Sequence, residues 1–509
     1  MRISTFLNAL AVGTLLLSSF SSCGKDDDLE IPPFESEVPG DKPSEDEGSS
    51  SDYMELYRPQ IHFSPAKNWM NDPNGMVFLD GTYHLFFQHN PLGNDWGNMS
   101  WGHATSSDMI HWEEQPVALK RDELGDIFSG CAVVDKNNTA GFGQNAMVVF
   151  YTSAAEFQQQ SMAYSLDNGK TFTRYEGNPV IPSSLKDFRD PKVFWHEESG
   201  KWVMCLAKGW NYGIEFWGSE NLKDWKFLSE FKSPIERCNK GQWECPDLLR
   251  MSLDGKERWV LLVSVNPGGP CGGSGTMYFV GDFDGATFSP ESLDYPQWID
   301  YGPDNYAGVT WSNTGDRTLL IGWMNNWNYA GATPTSVWRS AMTLPRELKL
   351  ISYEGRPLLT STVVDEINGI ADGWNDVASG VKMGVDKAYH LRLTLPTTEN
   401  GSFTLRNNAG EKAEFILNAG AKKLLMRRNA STGNVSFNNT FSIPAIQAPL
   451  NTENDFVTFD IYVDSSSIEV FSENGAMAMT AIVFPGSIYD IVDSGNSTDV
   501  KVRNLKRIH

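Results

Sequence analysis

The sequence predicts an all-β protein, a five-bladed β-propeller followed by a C-terminal β-sandwich, and three observations carry that prediction. Short runs rich in Val, Ile, Phe, Tyr and Trp are broken by Gly and Asp turns, with little helical periodicity. Five similar hairpins recur at roughly 55 to 62 residues, the length of a four-stranded blade with long loops. A second turn, capped by Asp or Asn and closed by an aromatic, follows four of the five hairpins in register.

In order, the hairpins are F-L-D-G-T-Y-H-L-F-F at Gly81, G-F-G-Q-N-A-M-V-V-F-Y at Gly143, H-E-E-S-G-K-W-V-M-C-L at Gly200, S-L-D-G-K-E-R-W-V-L-L at Gly255 and N-T-G-D-R-T-L-L-I-G-W at Gly315. The second signature closes on Trp112, Phe172, Trp225 and Phe288. These rings are expected to pack between blades. Past about Leu350 the register stops, and alternating runs such as D-F-V-T-F-D-I-Y-V-D and S-I-E-V-F-S-E-N-G suit a β-sandwich. The propeller is expected over residues 56–355 and the sandwich over 356–509.

Ahead of both lies a different kind of chain. Met1 and Arg2 precede an apolar stretch too short to span a bilayer as a mature helix, then S-S-F-S-S and Cys23. Residues 1–22 therefore read as an export signal. Cys23, followed by Gly24, resembles the lipidated cysteine of bacterial lipoproteins. Residues 24–52 hold two Lys against eleven Asp and Glu, a net of −9 out of −23 for the whole chain. Too little apolar surface is present to order such a segment, so residues 23–55 are expected to form a flexible tether. The K-D-D-D after the cysteine resembles the surface-export signal of a group of Gram-negative lipoproteins, which implies an outer-membrane anchor facing the exterior.

The remainder has no second long apolar run, and its acidic balance argues against a nucleic-acid partner. The 17 Trp and 16 Tyr suit aromatic platforms for sugar rings, although all-β cores are aromatic-rich anyway. Apart from Cys23, five cysteines are present in no metal-binding pattern, and a single bridge among Cys238, Cys245 and Cys271 stays open. H-W-E-E-Q at His111 lacks the second His of a zinc helix, and G-G-P-C-G-G lacks the Lys of a phosphate loop. No metal or cofactor is expected.

In a propeller the first strand of each blade lines the central channel, so residues about ten positions before each hairpin glycine should converge. Those positions hold Asp72, Ser129, Asp190, Glu244 and Tyr306, at offsets of 9, 14, 10, 11 and 9. Three acids aimed at one mouth would repel one another unless something there uses them. Two carboxylates flanking a bond, one charged and one protonated, are the equipment of glycoside hydrolysis. The third can hold sugar hydroxyls, with Arg189 expected to keep Asp190 ionised.

At these residues the chain resembles glycoside hydrolase family 32, the invertase, inulinase and levanase family. The matching motifs are W-M-N-D-P-N-G at 69, F-F-Q-H-N-P at 86, W-G at 96, F-S-G at 128, F-R-D-P-K-V at 188, W-E-C-P-D at 243, G-W-M-N-N-W-N-Y-A at 322 and P-T-S-V-W-R-S-A-M-T-L-P-R-E-L at 334. The resemblance covers about Arg58 to Leu350 and implies a propeller followed by a sandwich. It implies Asp72 as nucleophile, Asp190 as transition-state stabiliser and Glu244 as general acid/base. Asn71, Gln88, Trp96, Phe128, Ser129, Arg189, Tyr306 and Trp323 would line the fructose pocket.

The expected activity is retaining hydrolysis of levan or inulin through a covalent fructosyl-enzyme. Endo cleavage is favoured by the surface location, because a polymer is too large for general diffusion pores. The alternatives are an exo-acting or invertase-like enzyme and, from another class, a non-catalytic surface glycan-binding lipoprotein. The three acids in full motifs argue against the last. Cys245, beside Glu244, is read as either a soft neighbour of the acid or a small buried strand residue.

Overall fold

The computed structural model describes residues 53–509; the expected signal peptide, Cys23 and the acidic stretch to Asp52 lie outside the described residues. Five sheets of four strands or more follow one another, antiparallel except where Asn68 and Trp69 of the first pair in parallel with Trp338 and Arg339. Their first strands are Asn68–Leu79, Asp126–Asp135, Arg189–His196, Gln242–Leu253 and Tyr306–Thr310. These strands touch in cyclic order, and the fifth lies against the first. All five hairpin glycines fall between the first and second strands of their sheets. Each adopts positive φ, from 61° at Gly200 to 144° at Gly143, a region that a Cβ disfavours.

The closing aromatics pack between blades as expected, each on the blade before its own. Phe172 meets Phe86 edge-on, Trp225 meets Phe150, and Phe288 meets Phe231, with centroids 5.6, 5.8 and 5.3 Å apart. Trp112 of the first blade stacks at 6.3 Å on Trp311, just beyond the inner strand of the fifth. The turn before Trp112 is capped by Asp108, whose carboxylate accepts from the Ile110 and His111 amides at 2.9 and 2.8 Å.

Two sheets, of six and five strands, form the sandwich. Their inner faces carry alternating buried residues such as Leu391, Leu393, Phe403, Phe415, Phe459 and Ile461. The expected boundary at 355/356 is displaced, because Arg356–Val363 pairs along its whole length with Arg346–Tyr353 as the outer strand of the fifth blade. Residues 53–55, expected in the tether, contact the folded domains. Tyr53 stacks on His509 at 4.1 Å, and Glu55 accepts two hydrogen bonds from the buried Arg58.

A charged network joins the domains. His62 bonds Asp464 at 2.7 Å and Glu469 at 2.8 Å, and Arg346 bonds both Glu469 and Asp300, all of them buried. Cys131, Cys205, Cys238, Cys245 and Cys271 are all free thiols, so the bridge left open among the last three is not formed.

Candidate active site

Every inner strand breaks its ladder near the residue singled out from the sequence. The irregularities fall between Met70 and Pro73, Ile127 and Gly130, Arg189 and Lys192, Glu244 and Asp247, and Tyr306 and Val309. A bulge re-aims a side chain and interrupts pairing. That accounts for Pro73, Pro191 and Pro246, which could not sit in an unbroken central ladder. The backbone has positive φ at Asp190 (65°), Cys245 (46°) and Ala307 (52°), conformations unfavourable for residues with a Cβ. Three blades thus hold local strain where the acids converge.

Asp72 is held by two donors: Ser129 Oγ reaches Oδ2 at 2.7 Å and Asn71 Nδ2 reaches Oδ1 at 3.0 Å. Asn71 is itself fixed by the Trp69 indole N–H at 2.8 Å. Burial pushes the Asp72 carboxyl above its ordinary range; Ser129 opposes that rise and the Glu244 charge adds to it. Asp190 accepts from the Cys245 amide at 2.9 Å. The Cys245 thiol lies 3.6 Å from both Asp72 and Asp190. It therefore fills the space between two acids, and burial raises it well above the usual thiol range, so it is not a thiolate there.

Arg189 does not serve mainly Asp190, as the sequence suggested. Its shortest contacts are to Glu244 at 2.9 Å, Gln158 at 3.0 Å and Asp187 at 3.1 Å, whereas Asp190 is 3.9 Å away. The bulge turns the Asp190 carboxylate toward the channel axis and the Cys245 amide instead. Burial, which Arg189 only partly offsets, pushes Asp190 up to about 7. Glu244 has its other oxygen bonded by the Tyr306 hydroxyl.

These groups border a cavity of about 440 Å³ whose wall draws on all five blades. Of the predicted residues, Asn71, Asp72, Gln88, Trp96, Phe128, Ser129, Arg189, Asp190 and Glu244 line it. Trp96 is half exposed at the rim and meets Phe128 edge-on at 5.9 Å. Tyr306 and Trp323 do not line it: both are buried, Tyr306 behind Glu244 and Trp323 packed 4.8 Å from Trp327. Trp327 is the wall residue that sequence reasoning missed, although it lies inside the quoted G-W-M-N-N-W-N-Y-A motif. Gln158, Asp187 and Gln242 also line the cavity. No spacing signal marked them.

Beneath the acids the strands leave about 20 Å³, bordered by Pro73, Pro191 and Pro246, enough for about one water. A larger hollow of about 630 Å³ opens farther along, but its buried acid, Asp247, is paired with Lys192 at 2.8 Å and bonded by Thr310. The chemistry therefore belongs to the smaller cavity, where the acids outnumber their charge partner.

A propeller mouth with three converging carboxylates, a fixed donor on each of them and an aromatic rim defines a glycoside hydrolase site. The comparisons agree. The family model "Glycosyl hydrolases family 32 N-terminal domain" matches residues 62–361, and "Glycosyl hydrolases family 32 C terminal" matches 372–506. The chain belongs to glycoside hydrolase family 32. It is 45% identical over 467 residues to a levanase of Bacillus subtilis (strain 168), covering 87% of this chain and 68% of that one. Over 509 residues it is 41% identical to an extracellular exo-inulinase of Aspergillus niger, covering 88% and 94%. Among solved structures, the exo-inulinase of Aspergillus awamori superposes with a TM-score of 0.83 at 37% identity, covering 90% of this chain and 100% of that one. A fructofuranosidase of Schwanniomyces occidentalis complexed with fructose gives 0.78 at 33% identity, with coverage of 90% and 100%.

Proposed function

We propose that the protein is a retaining β-fructan hydrolase that acts on levan or inulin and removes fructose from the chain end. Asp72 attacks C2 of the terminal fructose while Glu244 passes its proton to the departing oxygen, so the Asp72–C2 bond forms as the glycosidic bond breaks. Water then adds to C2, returns a proton to Glu244 and frees Asp72. Asp190 accepts hydrogen bonds from ring hydroxyls, most strongly as positive charge builds on the ring.

The observation that carries this reading is the convergence of three acids in one cavity, with Ser129 and Asn71 donating to Asp72 and with Arg189 and Tyr306 donating to Glu244. The names of the relatives, levanase and exo-inulinase, support the substrate class. Release from a chain end is supported by the relatives named exo-inulinase, one at 41% identity and one superposing with a TM-score of 0.83. Display on the cell surface, where the polymer is met whole, favours endo cleavage instead. Chromatography of early products from levan, inulin and sucrose decides between them: fructose alone from the first time points supports exo action, and short oligomers before fructose refute it. An inverted anomer as first product, seen by proton NMR, would remove the covalent intermediate.

For location, the proposal is a lipid anchor at Cys23 on the outer face of the outer membrane, supported by the apolar run before it and G-K-D-D-D after it. Cys23→Ala should release or mislocalise the protein, and added protease should reach the wild type on intact cells. Protection from protease would refute the outward placement.

A further inference from the structure

The residues lining the cavity all come from the propeller, yet two of the segments that shape it are fastened by one cation from the sandwich. Arg428 is fully buried. Its guanidinium donates to Asp304 Oδ2 at 2.5 Å, Tyr329 Oη at 2.7 Å, and the carbonyls of Phe441 and Ile482 at 2.8 and 3.1 Å. The Tyr329 hydroxyl donates in turn to the other oxygen of Asp304, closing a triangle. Each propeller corner of that triangle is two residues from the site. Asp304 precedes Tyr306, whose hydroxyl donates to Glu244. Tyr329 follows Trp327, which walls the cavity. Between them, the Asn328 carbonyl accepts from Asn438 and Thr440 of the sandwich at 3.2 and 3.3 Å.

We propose that Arg428 is a positioning residue for the substrate pocket: through Asp304 and Tyr329 it fixes where Tyr306 meets Glu244 and where Trp327 closes the wall. An apolar contact tolerates small slips, because dispersion has no direction. A planar guanidinium with its donors committed to four acceptors has one geometry. Buried ionic groups of this kind are best attested as devices that set register rather than as sources of net stability. The sandwich is then a working part of the site, not a separate appendage. The guanidinium also lies 3.9 Å over the Phe441 ring, and Tyr329 meets that ring edge-on at 5.0 Å, so the triangle is walled off by apolar surface.

The test measures KM and kcat for sucrose in Arg428→Lys and Tyr329→Phe, at a temperature where circular dichroism shows each variant folded. Lysine keeps the charge but cannot span all four acceptors, and phenylalanine keeps the ring while deleting one hydroxyl. KM is expected to rise about fivefold or more, the scale of coupling between neighbours. Adding either change to Trp327→Ala should raise its KM little further. A merely structural role would lower kcat in proportion to the folded fraction and leave KM alone. A wild-type KM in the folded variants, or effects on KM that add in full to those of Trp327→Ala, overturns the proposal. Should Arg428→Lys fail to fold, Tyr329→Phe decides by the same criterion. The assay rests on the fructoside reading, and the two fail separately: a wild type that releases no fructose fails that reading, whereas an active wild type with unmoved KM in the variants fails this one.

Discussion

Replacing Ser129 with alanine removes the 2.7 Å bond to Asp72 Oδ2 and leaves Asn71 as the remaining neutral oxygen- or nitrogen-based donor to that carboxylate. A hydrogen bond to a charged group contributes about 1.5–3 kcal/mol. This one favours the ionised form, which the reaction needs, against burial that favours the neutral form. Its loss therefore moves the acid limb of the kcat/KM profile to higher pH. Below that limb the variant should be roughly 10- to 150-fold slower than wild type, the same energy expressed as a rate. Above it both enzymes carry the carboxylate, and the loss shrinks to that of a less well aimed nucleophile. The assay is release of fructose from sucrose or inulin between pH 4 and 8, with folding checked at each pH. Asp190, at about 7, titrates in the same window, but Ser129 makes no hydrogen bond to it or to Glu244, so an acid limb that stays put while activity falls equally at every pH would refute the assignment of that limb to Asp72 and leave it to Asp190.

Glu244→Gln should cost about 10² to 10⁴ in turnover while fructose binding, followed by calorimetry, changes little; near wild-type turnover sinks its role as the acid. Asp190→Asn should abolish hydrolysis yet raise the melting temperature at pH 8. The folded Asp190 carboxyl sits at about 7 against an ordinary 3.8, so its contribution favours the fold below about 4 and is lost as pH rises through 7, an order of a few kcal/mol. An Asn variant no more stable than wild type at pH 8 would contradict this. For His62, burial lowers its proton affinity, but Asp464 and Glu469 more than offset that and place it at about 9 against 6.5. The stability from its ion pairs is therefore full below about 6.5 and lost as pH rises through 9. His62→Gln should accordingly be most destabilising near pH 6, with the gap in melting temperature narrowing by pH 10; a constant gap would refute the charge argument.

Much of the site was legible because blade repetition places chemistry at fixed offsets from a glycine turn. Asp72, Asp190 and Glu244 could be found by counting back from Gly81, Gly200 and Gly255. The partners of those acids were not legible in the same way. Arg189 adjoins Asp190 in sequence, yet the bulge turns consecutive side chains apart and aims its guanidinium at Glu244. D-P, C-P and A-G at the bulges were the available signal, since proline does not fit a continuous inner ladder. Trp323 and Trp327 are four apart in one motif, and nothing in their order says that the second faces the cavity while the first packs behind it. Gln158 and Gln242 open their strands and Asp187 lies just ahead of one, at positions outside the offset from a hairpin glycine that marked the acids. The strand at Arg356–Val363 falls past about Leu350, where the repeat register stops, which placed it with the sandwich; its tight turn at Glu354 and Gly355 is the feature that returns it to the propeller.

The distribution of the acids over separate blades also sets a timetable. Cys245, which packs between Asp72 and Asp190, stands 173 residues from the first and 55 from the second. A nascent chain that has completed two or three blades holds one or two acids and no enclosed pocket. Hydrolysis can begin only after the blades that carry the first and last of them have docked. Closing such long loops adds only slowly to the entropic cost as length grows, but contacts so distant in sequence form late. In the mature enzyme the same connectivity runs backwards: detaching any one of those blades scatters the acids, so turnover is a direct report on the integrity of the whole ring.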